Sequence, residues 1–182
     1  MKLVILDRDG VINEDSDEYI KASAEWIPIP GSLNAISSLN AAGYRVAVAT
    51  NQSGIARGMF DIDTLHSMNR KMASLLRRFG GSVDGVFFCP HGPEDKCSCR
   101  KPLPGLFRQI SRRYQTGLRG VPAVGDSARD LVAAHASGAS PVLVRTGKGE
   151  RTLAAGDVPD DVPVYNDLAD FAEALLSGDN DS

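Results

Sequence analysis

Apolar residues are distributed along this chain in two patterns that alternate with each other. Short continuous runs, such as 3–6, are typical of strands that are buried on both faces of a parallel sheet. Between these runs the apolar residues recur at helical spacing. In the segment 62–79 they form a stripe that we expect to lie in the core, with Met68, Met72 and Phe79 on it. The alternation of strands and helices predicts an α/β fold, namely a three-layer, Rossmann-like parallel sheet.

The boundaries of the predicted elements follow from where each pattern stops. Glycines and polar residues bound the apolar runs, which predict strands at 3–6, 44–50, 83–89, 121–124 and 141–144 and an edge strand at 164–165. Helical spacing and capping residues predict helices at 33–42, 62–79, 105–114, 128–137 and 168–176. We expect 146–163 to be a loop, 1–177 to form a single domain and 178–182 to be a disordered tail.

The composition is that of an ordinary globular protein, and it narrows the range of partners. The chain has 182 residues, of which 42% are hydrophobic and 24% are charged, and its net charge is −3 at pH 7. That charge provides no general attraction to nucleic acid or to anionic membranes. No apolar run is long enough for a signal peptide or a spanning helix. We therefore expect a cytoplasmic protein without a nucleic-acid or membrane partner, and we take it to be a monomer.

Two carboxylates follow the first predicted strand, and other polar groups end later strands. Asp7 and Asp9 point to the same side of an extended backbone, and they repel each other unless a cation or a shared proton offsets their charge. The functional interpretation is a nucleophile at Asp7, a general acid and base at Asp9, and a hard metal ion. The alternative is that both residues merely form a turn. Thr50 and Asp126 end other predicted strands, so a parallel sheet would bring them to the same edge.

These groups provide what the hydrolysis of a phosphate monoester needs. Asp126 offers a second oxygen ligand for Mg²⁺ beside the nucleophile. Thr50 and Asn51 can donate hydrogen bonds to the phosphoryl group, and Lys101 can neutralise its charge. Arg100 presents a planar fork that suits a phosphate or a pair of hydroxyls. Taken one at a time these residues have ordinary interpretations, because Thr-Asn-Gln is common in turns and Arg-Lys before a proline is typical of a solvated loop.

A second candidate site lies between the third predicted strand and the next helix. Three thiols and one imidazole fall within eleven residues, and these residue types match a structural Cys₃His zinc site formed by Cys89, His91, Cys97 and Cys99. All four ligands come from the protein, so no position remains for a substrate. The alternative is an accidental cluster of reduced thiols. The cluster runs directly into Arg100-Lys101, so a bound zinc ion would hold both cations over the active site.

Four motifs carry a resemblance to a known family. Asp7-Arg8-Asp9-Gly10-Val11 resembles the first motif of the haloacid dehalogenase superfamily of aspartate-nucleophile phosphatases, and Thr50-Asn51, Lys101 and Gly125-Asp126 resemble the second, third and fourth. The resemblance implies the haloacid dehalogenase fold and an aspartyl-phosphate intermediate. It also implies Mg²⁺ held by Asp7, the backbone carbonyl of Asp9, and Asp126. Asp130 matches an acid that often follows the fourth motif, where it either binds metal through water or sits in the first turn of the next helix.

The intervals between these motifs leave no room for the cap domain that many members of the superfamily carry, because helices and strands already fill them. We therefore expect an open pocket whose specificity is set by the loops 15–19, 53–58 and 89–101. The candidate substrate-binding residues are Asp15, Glu18, Tyr19, Asn51, Gln52, Ser53, Arg57 and Arg100.

The zinc loop narrows the resemblance further. Cys-Pro-His followed by Cys-Ser-Cys-Arg-Lys-Pro resembles the subfamily of D-glycero-D-manno-heptose 1,7-bisphosphate 7-phosphatases and histidinol-phosphate phosphatases, and 50–58 resembles the heptose branch. That branch implies removal of the C7 phosphate in the synthesis of nucleotide-activated heptose for lipopolysaccharide or another surface glycan. We expect Arg57 to hold the far end of the sugar. The chain departs from many heptose enzymes in having Ser127 instead of a lysine, and in the short spacer between His91 and Cys97.

Three classes of function remain open from the sequence. The first is the heptose bisphosphate phosphatase. The second is a phosphatase for histidinol phosphate or for a nucleic-acid 3′-phosphate end, and the latter lacks the basic stripe with interleaved aromatic residues that such binding needs. The third is a non-catalytic zinc-loop binding module.

Overall fold

A computed structural model describes residues 1–180 of the chain, and its centre is a six-stranded sheet in which every strand is parallel to its neighbours. The strands are β1 (Leu3–Leu6), β2 (Arg45–Asn51), β3 (Gly85–Cys89), β4 (Pro122–Gly125), β5 (Ser140–Val144) and β6 (Val164–Tyr165). Their order across the sheet is β3-β2-β1-β4-β5-β6. The order reverses between β1 and β4, and open parallel sheets bind ligands at such a point. Asp7, which follows β1, therefore lies where a site is expected.

The helices cover both faces of the sheet, as the three-layer prediction requires. They are α1 (Ser32–Ala41), α2 (Ile62–Arg78), α3 (Gly105–Tyr114), α4 (Ala128–Ser137), α5 (Gly149–Ala154) and α6 (Leu168–Asn180), and a 3₁₀ turn spans Ser23–Glu25. Side chains of β1 alternate between two cores, because Val4 and Leu6 pack with α1, α2 and α6 while Leu3 and Ile5 pack with α3 and α4. The predicted α/β fold is confirmed.

Three local predictions differ from the structure. The segment predicted as a loop contains α5, whose six residues are too few to show helical spacing in the sequence. The last helix continues to Asn180 instead of ending at Leu176, so 178–180 are helical, while the remainder of the expected tail, 181–182, lies outside the described residues. Phe79 is 44% exposed because α2 ends before it, whereas Met68 and Met72 are buried as predicted.

The loops at the carboxyl edge of the sheet are held by interactions that start in the strands. Gln52 N, just after β2, donates to Cys89 O at the end of β3 (2.8 Å), and Thr146 Oγ1 after β5 donates to Gly10 O after β1 (2.7 Å). The segment after β2 is therefore tied to the end of β3, and the loop after β1 is tied to the loop after β5. Within residues 1–180, no helix is long and apolar enough to cross a membrane.

Candidate active site

The strand ends open into one polar pocket of about 170 Å³. This pocket brings together most of the residues that the sequence singles out, although they come from distant segments: Asp7, Asp9, Asp15, Tyr19, Thr50, Asn51, Gln52, Ser53, Arg100, Lys101 and Asp126. Polar side chains predominate in its lining, as expected for a site that binds a charged substrate.

Lys101 connects two carboxylates of this pocket. Its ammonium nitrogen lies 3.1 Å from Asp7 Oδ1 and 2.6 Å from Asp130 Oδ1, and it donates to Ala49 O at 2.7 Å. These contacts use all three of its protons. Burial raises the pKa of Asp7 to about 7, although the positive charge of Lys101 opposes the rise. Burial alone would lower the pKa of Lys101, but the charges of Asp130 and Asp7 outweigh burial and raise it, so Lys101 is a fixed positive charge beside Asp7.

The carboxylate of Asp9 is held by three side chains. It accepts hydrogen bonds from Asn13 Nδ2 (2.8 Å), Gln52 Nε2 (2.9 Å) and Arg8 Nε (3.0 Å). Arg8 is fully buried and also reaches Asn69 of α2 at 3.4 Å. An arginine is buried at a cost unless it is paired, and here the pairing fixes the position of Asp9.

The polar residues at the end of β2 have different surroundings. Thr50 is buried at the strand end, and its hydroxyl accepts a hydrogen bond from Gln52 Nε2 at 2.9 Å. The side chain of Asn51 donates to Lys101 O and accepts from Lys101 N, both at 3.0 Å. Asn51 therefore positions the backbone of Lys101, in addition to lining the pocket.

Asp126 and Asp130 lie on the β4 side of the pocket. Burial, with the negative charges of Asp130 and Asp7, raises the pKa of Asp126 to about 8, and Asp126 Oδ2 accepts from Lys148 N at 2.8 Å. Burial would also raise the pKa of Asp130, but Lys101 outweighs burial and holds it below its usual value. Asp130 Oδ2 accepts from Ser127 Oγ at 2.7 Å, which caps α4. Both oxygens of Asp130 are thus engaged by the protein.

These carboxylates fit a divalent cation. One oxygen from each of Asp7, Asp126 and Asp130 lies within 4.8 Å of the others. Hard cations such as Mg²⁺ prefer oxygen ligands, and a cation there would offset both the burial and the repulsion that raise the pKa values of Asp7 and Asp126. Because Lys101 and Ser127 already engage both oxygens of Asp130, Asp7 and Asp126 are the better metal ligands.

Two glycines make the close approach around Asp126 feasible. A Cβ on Gly10 or on Gly147 would collide with the carboxylate of Asp126, and both residues have positive φ angles, +86° and +59°. The loops after β1 and β5 therefore meet at this carboxylate.

The four predicted zinc ligands converge as well. Cys89 Sγ lies 3.5 Å from His91 Nδ1, 3.7 Å from Cys97 Sγ and 3.1 Å from Cys99 Sγ, and His91 Nδ1 lies 3.3 Å from Cys99 Sγ. Tetrahedral Zn–S bonds of about 2.3 Å place sulfur atoms about 3.8 Å apart, which the distance between Cys89 and Cys97 matches, while Cys99 would move away from Cys89 when an ion enters. Burial raises the pKa of the Cys89 thiol and so disfavours its thiolate. The positive charge of a bound metal ion would stabilise that thiolate.

Comparisons with known proteins agree with this geometry. The HAD-hydrolase-like family model matches residues 98–171. The D-glycero-β-D-manno-heptose-1,7-bisphosphate 7-phosphatase of Bordetella bronchiseptica is 57% identical over 176 residues, which cover 97% of this chain and 98% of that relative. The relative of the same name from Pseudomonas putida is also 57% identical over 176 residues, covering 97% of this chain and 100% of its own length.

This chain belongs to that family. A crystal structure of the D,D-heptose 1,7-bisphosphate phosphatase from B. bronchiseptica, complexed with magnesium and phosphate, matches it with a TM-score of 0.96 at 57% identity, covering 98% of this chain and 99% of the other. The resemblance to the haloacid dehalogenase phosphatases is thus confirmed, and the chain is a phosphoric monoester hydrolase of the heptose bisphosphate phosphatase family.

Two of the predicted substrate residues of this heptose phosphatase family member do not line the pocket. Glu18 is exposed, and its contacts are local, since its carbonyl accepts from Lys21 Nζ at 2.8 Å. The guanidinium of Arg57 lies 5.7 Å from the centre of the Tyr19 ring, and Tyr19 in turn lines the pocket. Arg57 therefore contacts the site through Tyr19.

Three residues that sequence reasoning missed belong to the site. Arg8 fixes Asp9, while Arg129 and Lys148 line the pocket. Lys148 Nζ also lies 3.0 Å from Asp15 Oδ2, which ties the 15–19 loop to the segment after β5. Lys148 and Arg129 follow the carboxyl ends of β5 and β4, so the reasoning that found Asp7 and Asp126 in this phosphatase would have found both. Arg8 carried no such signal, because the alternation of an extended backbone predicts that its side chain points away from the two aspartates, whereas in the structure it contacts Asp9.

Proposed function

We propose that this chain removes the C7 phosphate from D-glycero-β-D-manno-heptose 1,7-bisphosphate, in a Mg²⁺-dependent reaction that passes through an aspartyl-phosphate. The observation that carries the proposal is the convergence of Asp7, Asp9, Thr50, Lys101 and Asp126 in one pocket. Relatives that are 57% identical along nearly their whole length bear the name of this activity. The reaction would serve the synthesis of ADP- or GDP-heptose for lipopolysaccharide or another surface glycan.

Asp7 is the nucleophile in this proposal. One of its oxygens, Oδ1, is fixed by Lys101 and by the backbone N–H of Arg8 at 2.7 Å. The carboxylate attacks phosphorus, and the bond to the C7 oxygen of the sugar breaks. Lys101 stabilises the phosphoryl oxygens by its charge, because its three protons are already bonded. Thr50, at the end of β2, donates a hydrogen bond from its hydroxyl group to a phosphoryl oxygen.

Asp9 moves the protons. It first gives a proton to the departing C7 oxygen of the sugar, and its ionised form then takes a proton from the water that attacks the aspartyl-phosphate. Asn13, Gln52 and Arg8 all donate hydrogen bonds to its carboxylate. These three hydrogen bonds hold the carboxylate of Asp9 in position for both steps.

Asp7 and Asp126 would hold Mg²⁺, with the backbone carbonyl of Asp9 as the further ligand that the family resemblance implies. When bound, the ion supplies positive charge to the phosphoryl group and offsets the repulsion between the carboxylates. Asp130 is placed outside this ligand set, as the partner of Lys101 and the cap of α4.

Cys89, His91, Cys97 and Cys99 would hold a structural zinc ion. The segment between the last ligand and Lys101 is a single residue, Arg100. Fixing the loop therefore fixes the catalytic lysine and the neighbouring arginine, which we assign to substrate binding together with Asp15, Tyr19, Gln52 and Ser53.

Phosphate release from both anomers of heptose 1,7-bisphosphate and from histidinol phosphate, measured with Mg²⁺, tests this function. We expect a preference for the β anomer in the wild type and no detectable turnover in Asp7→Asn, with an unchanged circular dichroism spectrum. Faster release from histidinol phosphate would assign the chain to another substrate. Release that persists in Asp7→Asn would exclude the nucleophile, and no release from any compound would favour a non-catalytic zinc-loop module.

The remaining proposals concern the setting of the enzyme. We take residues 1–177 to act as a single domain, to which the end of α6 through Asn180 also belongs. We place the protein in the cytoplasm, where thiols stay reduced and available to a metal. It is proposed to act as a monomer, with a small phosphorylated sugar and neither nucleic acid nor a membrane as its partner.

A further inference from the structure

The segment after β5, which the sequence predicts as a loop, reaches back to Asp126 in three places. Lys148 N donates to the carboxylate oxygen Asp126 Oδ2 at 2.8 Å, and the hydroxyl of Thr152 donates to the backbone oxygen Asp126 O at 2.9 Å. Gly147 leaves room for the same carboxylate, because a Cβ there would collide with it. One short segment therefore holds both the side chain and the main chain of Asp126.

The hydrogen bond from Thr152 to Asp126 is buried and has no substitute. Thr152 is 7% exposed and Asp126 is 3% exposed. Within residues 1–180, the hydroxyl of Thr152 is the only protein group that donates to Asp126 O. A buried carbonyl oxygen without a donor is unfavourable, so this hydroxyl satisfies a requirement of the fold at the site.

Helix α5 places that hydroxyl. Lys148 is the residue before α5 and Thr152 lies four positions later, so both lie on the same side of the first helical turn. Thr152 N donates to Lys148 O at 2.9 Å, and Thr152 Oγ1 lies 3.0 Å from the same oxygen. A single turn of helix therefore fixes two donors relative to each other, namely the N–H that binds the carboxylate of Asp126 and the hydroxyl that binds its carbonyl.

We propose that Thr152 is a positioning residue for the carboxylate of Asp126, which it aligns through the backbone of Asp126 and the first turn of α5. This inference rests on the proposed function in taking Asp126 as a ligand of Mg²⁺. Mg²⁺ demands near-ideal octahedral geometry, so the direction of each ligating oxygen affects the affinity. Thr152 does not line the active-site pocket, and its effect on the reaction therefore passes through Asp126.

Two substitutions of Thr152 separate its hydroxyl from its packing. Thr152→Val keeps the branched shape and removes the hydroxyl, whereas Thr152→Ser keeps the hydroxyl and removes a methyl group. The readout is the Kd for Mn²⁺, which shares the oxygen-ligand preference of Mg²⁺, measured by electron paramagnetic resonance of free Mn²⁺ on zinc-reconstituted protein without substrate. We expect binding to be roughly tenfold weaker for Thr152→Val and to change by less than about twofold for Thr152→Ser.

A role of Thr152 in packing alone predicts the reverse order, because serine then costs more than valine. That order, equal losses in both variants, or wild-type affinity in Thr152→Val would overturn the proposal. Ser111→Ala is the matched control, since Ser111 Oγ also donates to a backbone carbonyl, Thr116 O at 2.7 Å, and does not line the pocket. It should keep the wild-type Kd, and an equal loss there would assign the effect to general destabilisation.

Asp126→Asn separates this proposal from the proposed function. If Asp126→Asn binds Mn²⁺ as the wild type does, Asp126 is not a metal ligand, and the proposed Mg²⁺ site is wrong together with the role of Thr152. If Asp126→Asn loses affinity while Thr152→Val retains it, the Mg²⁺ site stands and only the role of Thr152 is overturned.

The same variant divides the kinetic constants. In the hydrolysis of heptose 1,7-bisphosphate, Thr152→Val should raise the Mg²⁺ concentration for half-maximal rate roughly tenfold. KM for the sugar at saturating Mg²⁺ should be unchanged, because Thr152 lies outside the pocket lining. A rise in KM for the sugar with an unchanged dependence on Mg²⁺ would place Thr152 in substrate binding and overturn the proposal.

Discussion

Replacing Lys101 with methionine removes the charge that Asp7 and the buried Asp130 share. Methionine keeps an unbranched apolar side chain, so the change removes the ammonium group with little loss of packing. Nζ lies 3.1 Å from Asp7 and 2.6 Å from Asp130, whose side chains are 13% and 7% exposed. Breaking a buried ion pair by removing one partner costs about 3–5 kcal/mol. We expect a loss of stability in that range, and a fall in kcat of at least about 100-fold because the phosphoryl charge is no longer stabilised.

Asp130→Asn separates the ion pair from the other contacts of Lys101. Asparagine keeps an oxygen that can accept from Ser127, so the cap of α4 is retained. The double variant Lys101→Met/Asp130→Asn removes the unpaired carboxylate that Lys101→Met leaves at position 130. Its loss of stability should be about 2 kcal/mol smaller than the sum of the losses in the two single variants. Arg151→Met is the control, because Arg151 pairs with Asp17 at 2.9 Å on an exposed surface and should change stability by less than about 1 kcal/mol.

The pH dependence of the same comparison gives an independent check. Lys101 holds the pKa of Asp130 below its usual value, so in the wild type this carboxylate contributes stability at neutral pH that is lost as pH falls through its folded-state pKa. In Lys101→Met burial raises that pKa instead, and the variant gains relative stability as pH falls. Urea unfolding without added Mg²⁺ should show the gap between the proteins narrowing from about pH 7 to about pH 4.5. A gap that is independent of pH, or single variants whose effects add, would refute the reasoning.

Three further predictions address the metals and the loops around Asp126. Burial raises the pKa values of Asp7 and Asp126 to about 7 and about 8, so their protonated forms stabilise the fold at low pH and this contribution is lost as pH rises through those values. The increase in Tm on adding Mg²⁺ should therefore be larger near pH 8 than near pH 5.5, and an equal increase at both pH values would contradict this prediction. Gly147→Ala should lower kcat by at least about tenfold by displacing Asp126, whereas Gly156→Ala, with a positive φ but open space, should cost only about 1 kcal/mol of stability; equal kcat values would exclude the displacement. Cys99→Ser should lower both the zinc content measured by atomic absorption and the Tm, and full zinc retention would exclude Cys99 as a ligand.

The chain-distant parts of the site were predictable because a parallel sheet brings all its strand ends to one edge. Asp7, Thr50 and Asp126 each follow a recognisable apolar run, and the structure places them in one pocket. The cysteine cluster was predictable for a different reason, namely that its ligands are close in sequence. In both cases a local sequence pattern is enough to predict where the backbone places the side chains.

The predictions that failed or stayed open depend on side chains from several elements. Arg57 follows the motif that suggested it, but its guanidinium stacks on Tyr19, a contact across two loops. The sequence leaves open whether Asp130 binds metal through water or only sits in the first turn of a helix. In the structure, Lys101 and Ser127 engage both of its oxygens, which favours the second interpretation. Phe79 continues the apolar stripe of α2 in sequence, yet the helix ends one residue before it. No spacing rule contains this information.

The position of the zinc cluster relative to β2 and β3 links it to both halves of the catalytic pocket. Cys89 is the last residue of β3 and pairs with Asn51 across the sheet, and its carbonyl accepts from Gln52 N at 2.8 Å. On the other side of the cluster, the backbone of Lys101 exchanges two hydrogen bonds with the side chain of Asn51. Gln52 in turn holds Asp9. A displacement of the zinc loop would therefore reach, through Asn51 and Gln52, both Lys101 and Asp9, the residues that we propose as the phosphoryl-stabilising lysine and the general acid. We expect the cluster to influence catalysis through position, because its four ligands would all be used by the metal ion.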